Sequence, residues 1–127
     1  MDRAATIVIA EDEILIGDHM RITLESEGLT VVGVATTAAE ALRISEQARP
    51  AVAVLDINLP DLDGVELAKR LQAQRSIEVV FVSGFGDADT RRRMETIAGS
   101  VFLQKPFNPY ELIKAVRDKL KSRGQCG

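Results

Sequence analysis

Val52-Ala53-Val54-Leu55-Asp56-Ile57-Asn58-Leu59-Pro60-Asp61-Leu62-Asp63-Gly64 runs from a short apolar stretch into a carboxylate and then into a loop of turn formers. Apolar without alternation, residues 51–55 read as a strand buried on both faces, which is the mark of a parallel sheet covered by helices. In such a sheet the crevice beyond the carboxyl ends of the strands is where ligands bind, so Asp56 is better placed for chemistry than for packing. Working outward, other strand-like runs also end in groups suited to holding a phosphoryl: Glu11-Asp12 after the first, Ser83 after the fourth and Lys105 after the fifth. Four strand ends would then face one reaction.

The chain alternates throughout. Strand-like runs are read at residues 6–10, 30–35, 51–55, 78–82 and 101–103. Between them, helical spacing places Ile16, Met20 and Leu24 on one face of the first helix, Ala38, Ala41 and Leu42 on the second, and Val65, Ala68 and Leu71 on the third. Met94, Ile97 and Ala98 serve the fourth, and Leu112, Ile113, Val116 and Leu120 the fifth, whose polar side carries Lys114, Arg117, Lys119 and Lys121. Thr37 and Glu40 have the spacing of a capping box, while Asn108, Pro109 and Glu111 read as an N-cap, a first-turn proline and a third-position acid. Gly28 is expected to close the first helix, and Asp63 and Asp87 to cap the third and fourth. Strand and helix repeated five times with short connections predict one domain, a doubly wound α/β fold in which five helices flank a five-stranded parallel sheet.

Size and composition set the class. With 127 residues, 46% hydrophobic and 28% charged, the chain has enough apolar material for one core without metal or disulfide staples. Only 4% of residues are aromatic and Trp is absent, which leaves little for base stacking, so direct nucleic-acid binding is not expected. Cys126 stands alone and cannot form an internal disulfide, and residues 1–5 lack the long apolar stretch of a signal peptide or membrane span. A cytoplasmic location is the expectation. Net charge is −3, unevenly spread: residues 1–64 hold 12 acids and 4 bases, residues 65–127 hold 7 acids and 12 bases. The basic excess reads as a solvated face, and Arg91-Arg92-Arg93 as the wet side of the fourth helix.

The chemistry starts from the acids. Taken alone, Glu11-Asp12-Glu13 near a helix start would complement the macrodipole. Set opposite Asp56, the same acids offer hard oxygens for Mg2+, with the backbone carbonyl of Asn58 as a further donor. Asp56 as nucleophile requires a metal and a cation to offset charge on the transferring oxygens, and Lys105 supplies the cation. Lys105-Pro106 is a candidate for a cis bond that aims the amine. Ser83, followed by Gly84 and Gly86, offers a hydroxyl but equally suits a turn. Phe102 and Phe107 read as core residues, and His19, without a second His or Cys nearby, is assigned no ligand role.

Glu11-Asp12, Asp56 with Asn58, Pro60 and Gly64, Ser83, and Lys105-Pro106-Phe107 together resemble the receiver domain of two-component response regulators over nearly the whole chain. The resemblance, not the spacing, implies strand order 2-1-3-4-5. It also implies that Asp56 accepts a phosphoryl from a phosphohistidine on a histidine kinase or phosphotransfer protein, with Mg2+ held by Glu11, Asp12, Asp56 and the Asn58 carbonyl. Lys105 would pair with the phosphoryl, and Pro60, Gly64 and Pro106 would shape the turns. Ser83 and Phe102 would form the switch, and a downstream protein would read the surface of helix four, strand five and helix five, from a monomer or a phosphorylation-dependent dimer. Phe102 replaces the tyrosine of many relatives and Gly84 the frequent alanine, so a more mobile loop is expected after Ser83.

Two other classes share parts of this pattern. A haloacid-dehalogenase-like phosphatase would use similar Asp, Ser, Lys and Mg2+ roles, but such enzymes usually carry a second Asp where this chain has Asn58. A pure interaction module would keep the fold and never be phosphorylated. The sequence favours a signalling domain over an enzyme.

Overall fold

The computed structural model describes residues 6–84 and 87–124, the last two by their backbone alone. Ten elements alternate: β1 Thr6–Ala10, α1 Ile14–Glu25, β2 Thr30–Ala35, α2 Ala38–Ala48, β3 Val52–Asp56, α3 Gly64–Gln74, β4 Glu78–Ser83, α4 Ala88–Glu95, β5 Val101–Gln104 and α5 Pro109–Gly124. The strands form one sheet in the order β2-β1-β3-β4-β5, with every neighbouring pair parallel. The expected architecture and strand order are both present. Four strand ends differ by a residue: β3 starts at Val52 and includes Asp56, β4 includes Ser83, and β5 includes Gln104.

Side chains alternate across the sheet, and this sorts the core into two layers. Val8, Ala10, Ala53, Leu55, Val79 and Phe81 face the helices α2, α3 and α4 through Ala38, Ala41, Val65, Ala68, Leu71 and Met94. Ile7, Ile9, Val52, Val54, Val80 and Val82 face α1 and α5 through Met20, Leu24, Leu112, Ile113 and Val116. All five residues of β3 are buried, as its unbroken apolar run demands, while the edge strands β2 and β5 are only partly covered.

The caps follow local chemistry. Thr37 accepts from the Glu40 N–H at 3.1 Å, but the Glu40 carboxylate returns to the N–H of Thr36 rather than Thr37. Asn108 and Glu111 exchange two bonds of 2.9 Å, a complete capping box. Asp63 and Asp87 cap α3 and α4 through the N–H groups of Glu66 and Thr90. Gly28, with φ +81°, turns the chain out of α1, as a residue without Cβ can.

Corrections fall on the periphery. α4 ends at Glu95, so Ile97 is buried beyond the helix and Ala98 is exposed rather than part of its apolar face. Arg91 and Arg93 are not simply solvated: Arg91 lies over the ring of Phe102, and Arg93 pairs with Asp63. Lys119 likewise leaves the polar side of α5 to donate to the Gly99 carbonyl and pair with Glu78. Gly86, read above with Gly84 as part of a turn, and Cys126, read above as unable to form an internal disulfide, lie outside the described residues.

Candidate functional site

At the carboxyl edge of the sheet, β1 delivers Glu11 and Asp12, and β3, paired directly with β1, delivers Asp56. Glu11 is fully buried, its N–H bonded to the Ala35 carbonyl at 2.9 Å, whereas Asp12 is exposed. One carboxylate oxygen from each of Glu11, Asp12 and Asp56 lies within 4.8 Å of the others. Asp56 itself is buried, 5% exposed.

Lys105 arrives from the far side. The loop after β5 is anchored by its own backbone, where the Lys105 N–H donates to the Ser83 carbonyl at 2.7 Å, and the Lys105-Pro106 peptide is cis. The ammonium then donates to Glu11 Oε1 at 2.6 Å and to Asp56 Oδ2 at 3.4 Å. The other Asp56 oxygen accepts from the Asn58 N–H at 3.2 Å. Ser83, also buried, stands one residue beyond Val82, the register partner of Asp56. Every sequence-predicted site residue except Phe102 is therefore at this edge or in its loops. Phe102 sits back along β5, half-buried, with the Arg91 guanidinium 5.2 Å from its ring centre.

Electrostatics define what the cluster lacks. Burial pushes the Glu11 carboxyl up to about 7, with the Asp56 carboxylate adding to the rise and the Lys105 ammonium opposing it. Burial alone would lower Lys105, but its bond to Glu11 and the charge of Asp56 prevail and raise it. Three carboxylates against one lysine leave the edge short of positive charge when all are ionised. An all-oxygen donor set in that condition suits a hard divalent cation, so these residues fit Mg2+.

Sequence reasoning missed how the loop after Asp56 is strapped down. Asp61 accepts from the Ala38 and Ala39 N–H groups at 2.8 and 3.0 Å, capping α2 from another loop and holding its own carboxyl below the usual range. Gly64 is close-packed: a Cβ there would stand 2.2 Å from the Asp56 carbonyl oxygen. The Asp-Gly spacing hinted at the second feature, but nothing in the sequence signals the first.

A family model described as the response regulator receiver domain matches residues 7–117. The chain belongs to this family. Receiver domains are the phosphorylation-based signalling modules of two-component systems, and that is the class of this domain. Among curated relatives, the transcriptional regulatory protein PdtaR of Mycobacterium tuberculosis is 31% identical over 87% of this chain and 54% of its own length. The aerobic respiration control protein ArcA of Escherichia coli is 32% identical over 95% of this chain and 50% of its own. The chain thus spans about half the length of these relatives. A CheY-like receiver domain protein from Methanospirillum hungatei superposes with TM-score 0.90 at 29% identity, covering 96% of this chain and 98% of that one. Among the described residues no helix is long and apolar enough to cross a membrane.

Proposed function

We propose that Asp56 is the phospho-acceptor of this receiver domain, taking a phosphoryl group from a phosphohistidine on a histidine kinase or phosphotransfer protein. The observation that carries the reading is the Lys105 ammonium standing between Glu11 and Asp56, at 2.6 and 3.4 Å. A carboxylate oxygen of Asp56 attacks phosphorus in line as the donor's P–N bond breaks, and the displaced nitrogen keeps the bonding pair. Lys105 offsets charge on the phosphoryl oxygens. Glu11, Asp12, Asp56 and the Asn58 carbonyl would hold Mg2+, which when bound supplies further positive charge to those oxygens. Ser83, buried at the end of β4, would bind a phosphoryl oxygen, and Phe102 would follow it as the second part of the switch.

The domain signals rather than turns over substrate, with loss of its own phosphoryl as its sole hydrolysis. The receiver domain is assigned to residues 1–127, with its core over about 6–123, and acts in the cytoplasm. Its output is protein contact through the α4, β5 and α5 surface, as a monomer or a phosphorylation-dependent dimer. The scarcity of aromatics and the net charge of −3 favour protein over nucleic acid as the direct partner of this domain. Incubation with Mg2+ and a small-molecule phosphodonor, read by intact mass, tests the reading. One added phosphoryl on the parent protein and none on Asp56→Ala is the expected result. Sustained hydrolysis of phosphate esters would point instead to a phosphatase, and no uptake at all to a module that is never phosphorylated.

A further inference from the structure

α4 is held unlike its neighbours. Its sequence Ala88-Asp89-Thr90-Arg91-Arg92-Arg93-Met94-Glu95 buries Met94 alone, whereas α3 buries five residues. A helix of this length is marginal without an apolar face, so its position rests on whatever else ties it to the body. Ile97 adds one apolar contact past its end. Among the described residues, Ser100 Oγ donates to the Met94 carbonyl at 2.9 Å near its end, and the side chains that reach from α4 itself to the body are Arg91, over the ring of Phe102, and Arg93, whose Nη2 meets Asp63 Oδ2 at 2.5 Å. Asp63 is the last residue of the loop that leaves Asp56, and it is fixed there twice: it caps α3 through the Glu66 N–H at 2.9 Å, and its neighbour Gly64 bonds back to the Ile57 carbonyl at 2.8 Å. Burial would raise the Asp63 carboxyl, but the Glu66 N–H and the Arg93 guanidinium hold it down, so it stays charged at neutral pH.

The geometry points to a latch: the Arg93–Asp63 ion pair fastens α4 to the acceptor loop, and a disturbance of that loop is handed to α4 by loosening one contact. The second half rests on the reading of Asp56 above. A phosphoryl group brings roughly two negative charges to the start of the loop whose end holds Arg93. Partly exposed ion pairs are individually weak, and the latch matters because α4 has so little else.

Hydrogen exchange read by mass spectrometry on the full chain tests it without phosphodonor. Arg93→Gln removes the donor, and Asp63→Asn removes the charge while keeping a side-chain oxygen to cap α3. Each is expected to speed exchange in α4 by about two- to fivefold, with the double variant no faster than either single. Unchanged exchange in both singles, or effects that multiply in the double, would overturn the latch. Arg92→Gln, whose ion-pair partner Asp89 lies within α4 at 3.6 Å, is expected to match the parent. An equal rise there would mean a general charge effect and no latch. With Mg2+ and phosphodonor, parent α4 should approach the Arg93→Gln rate. If mass shows a phosphoryl on the protein yet α4 is unmoved, the transmission is wrong. If no phosphoryl is taken up, the assignment of Asp56 and its transmission fall, and the first comparison still decides the latch.

Discussion

Gly64→Ala probes the seat of the Asp56 carboxylate more sharply than any change to the carboxylate itself. The new methyl carbon would lie 2.2 Å from the Asp56 carbonyl oxygen, 2.9 Å from Ile57 Cα and 3.0 Å from the Asp56 carbonyl carbon. Carbon–oxygen contacts normally begin near ~3.3 Å, so the end of β3 and the first turn of α3 must part by roughly 1 Å. All three atoms are backbone, and no side chain can swing aside. Overpacking of this kind costs ~1–3 kcal/mol, while alanine in place of glycine returns ~0.5–1 kcal/mol of helix propensity. The net loss is about 1–2 kcal/mol, or roughly 4–8 °C in Tm for a domain of this size. Because the displaced atoms belong to Asp56, phosphoryl uptake should fall further than stability does, by on the order of 100-fold for a 1 Å misplacement. Calorimetry and single-turnover uptake on Gly64→Ala, beside Gly84→Ala, measure both. Among the described residues a Cβ at Gly84 meets nothing within 4 Å, so that variant should match the parent. Equal Tm and equal uptake in the two variants would refute the packing argument.

Three further outcomes follow from the electrostatics. Lys105→Ala removes the bond that restrains the Glu11 carboxyl from rising above about 7, so its titration midpoint, followed by carbon NMR, should move up; a downward move contradicts the pairing. Saturating Mg2+ should move the same midpoint down, since a divalent cation favours the ionised form, and an unmoved midpoint would remove Glu11 from the proposed metal site. Asp61 has its folded pKa depressed by the Ala38 and Ala39 N–H groups. Its stabilisation is therefore complete above the ordinary Asp value of ~3.9 and drains as pH falls toward the lower folded value. Urea denaturation should give a gap between the parent and Asp61→Asn that is largest at neutral pH and closes in acid, and a constant gap would mean that the charge is irrelevant.

What the sequence revealed, and what it hid, divides along local and long-range lines. The buried strand at residues 52–55 announces itself because no solvent-facing position interrupts it, and the caps at Thr37, Asp63, Asp87 and Asn108 are legible because their partners lie three residues away. The pocket was legible through strand ends, since a parallel sheet brings all of them to one edge. Arg93 and Asp63 are 30 residues apart, and Asp61 reaches back 23 and 22 residues to α2. Such contacts depend on how helices settle over the sheet, which no local spacing encodes. For the same reason three consecutive arginines read as one wet face, although a helix turns successive residues to different sides and gives Arg91, Arg92 and Arg93 different neighbours.

The residue on which the phosphoryl group lands tests the role of Asp56 most directly. After incubation with Mg2+ and phosphodonor, borohydride reduction converts an aspartyl phosphate to homoserine, which peptide mass mapping locates in the sequence. Homoserine at position 56 and nowhere else is the predicted result. A phosphoryl retained on Ser83 or His19 with Asp56 unmodified would contradict it.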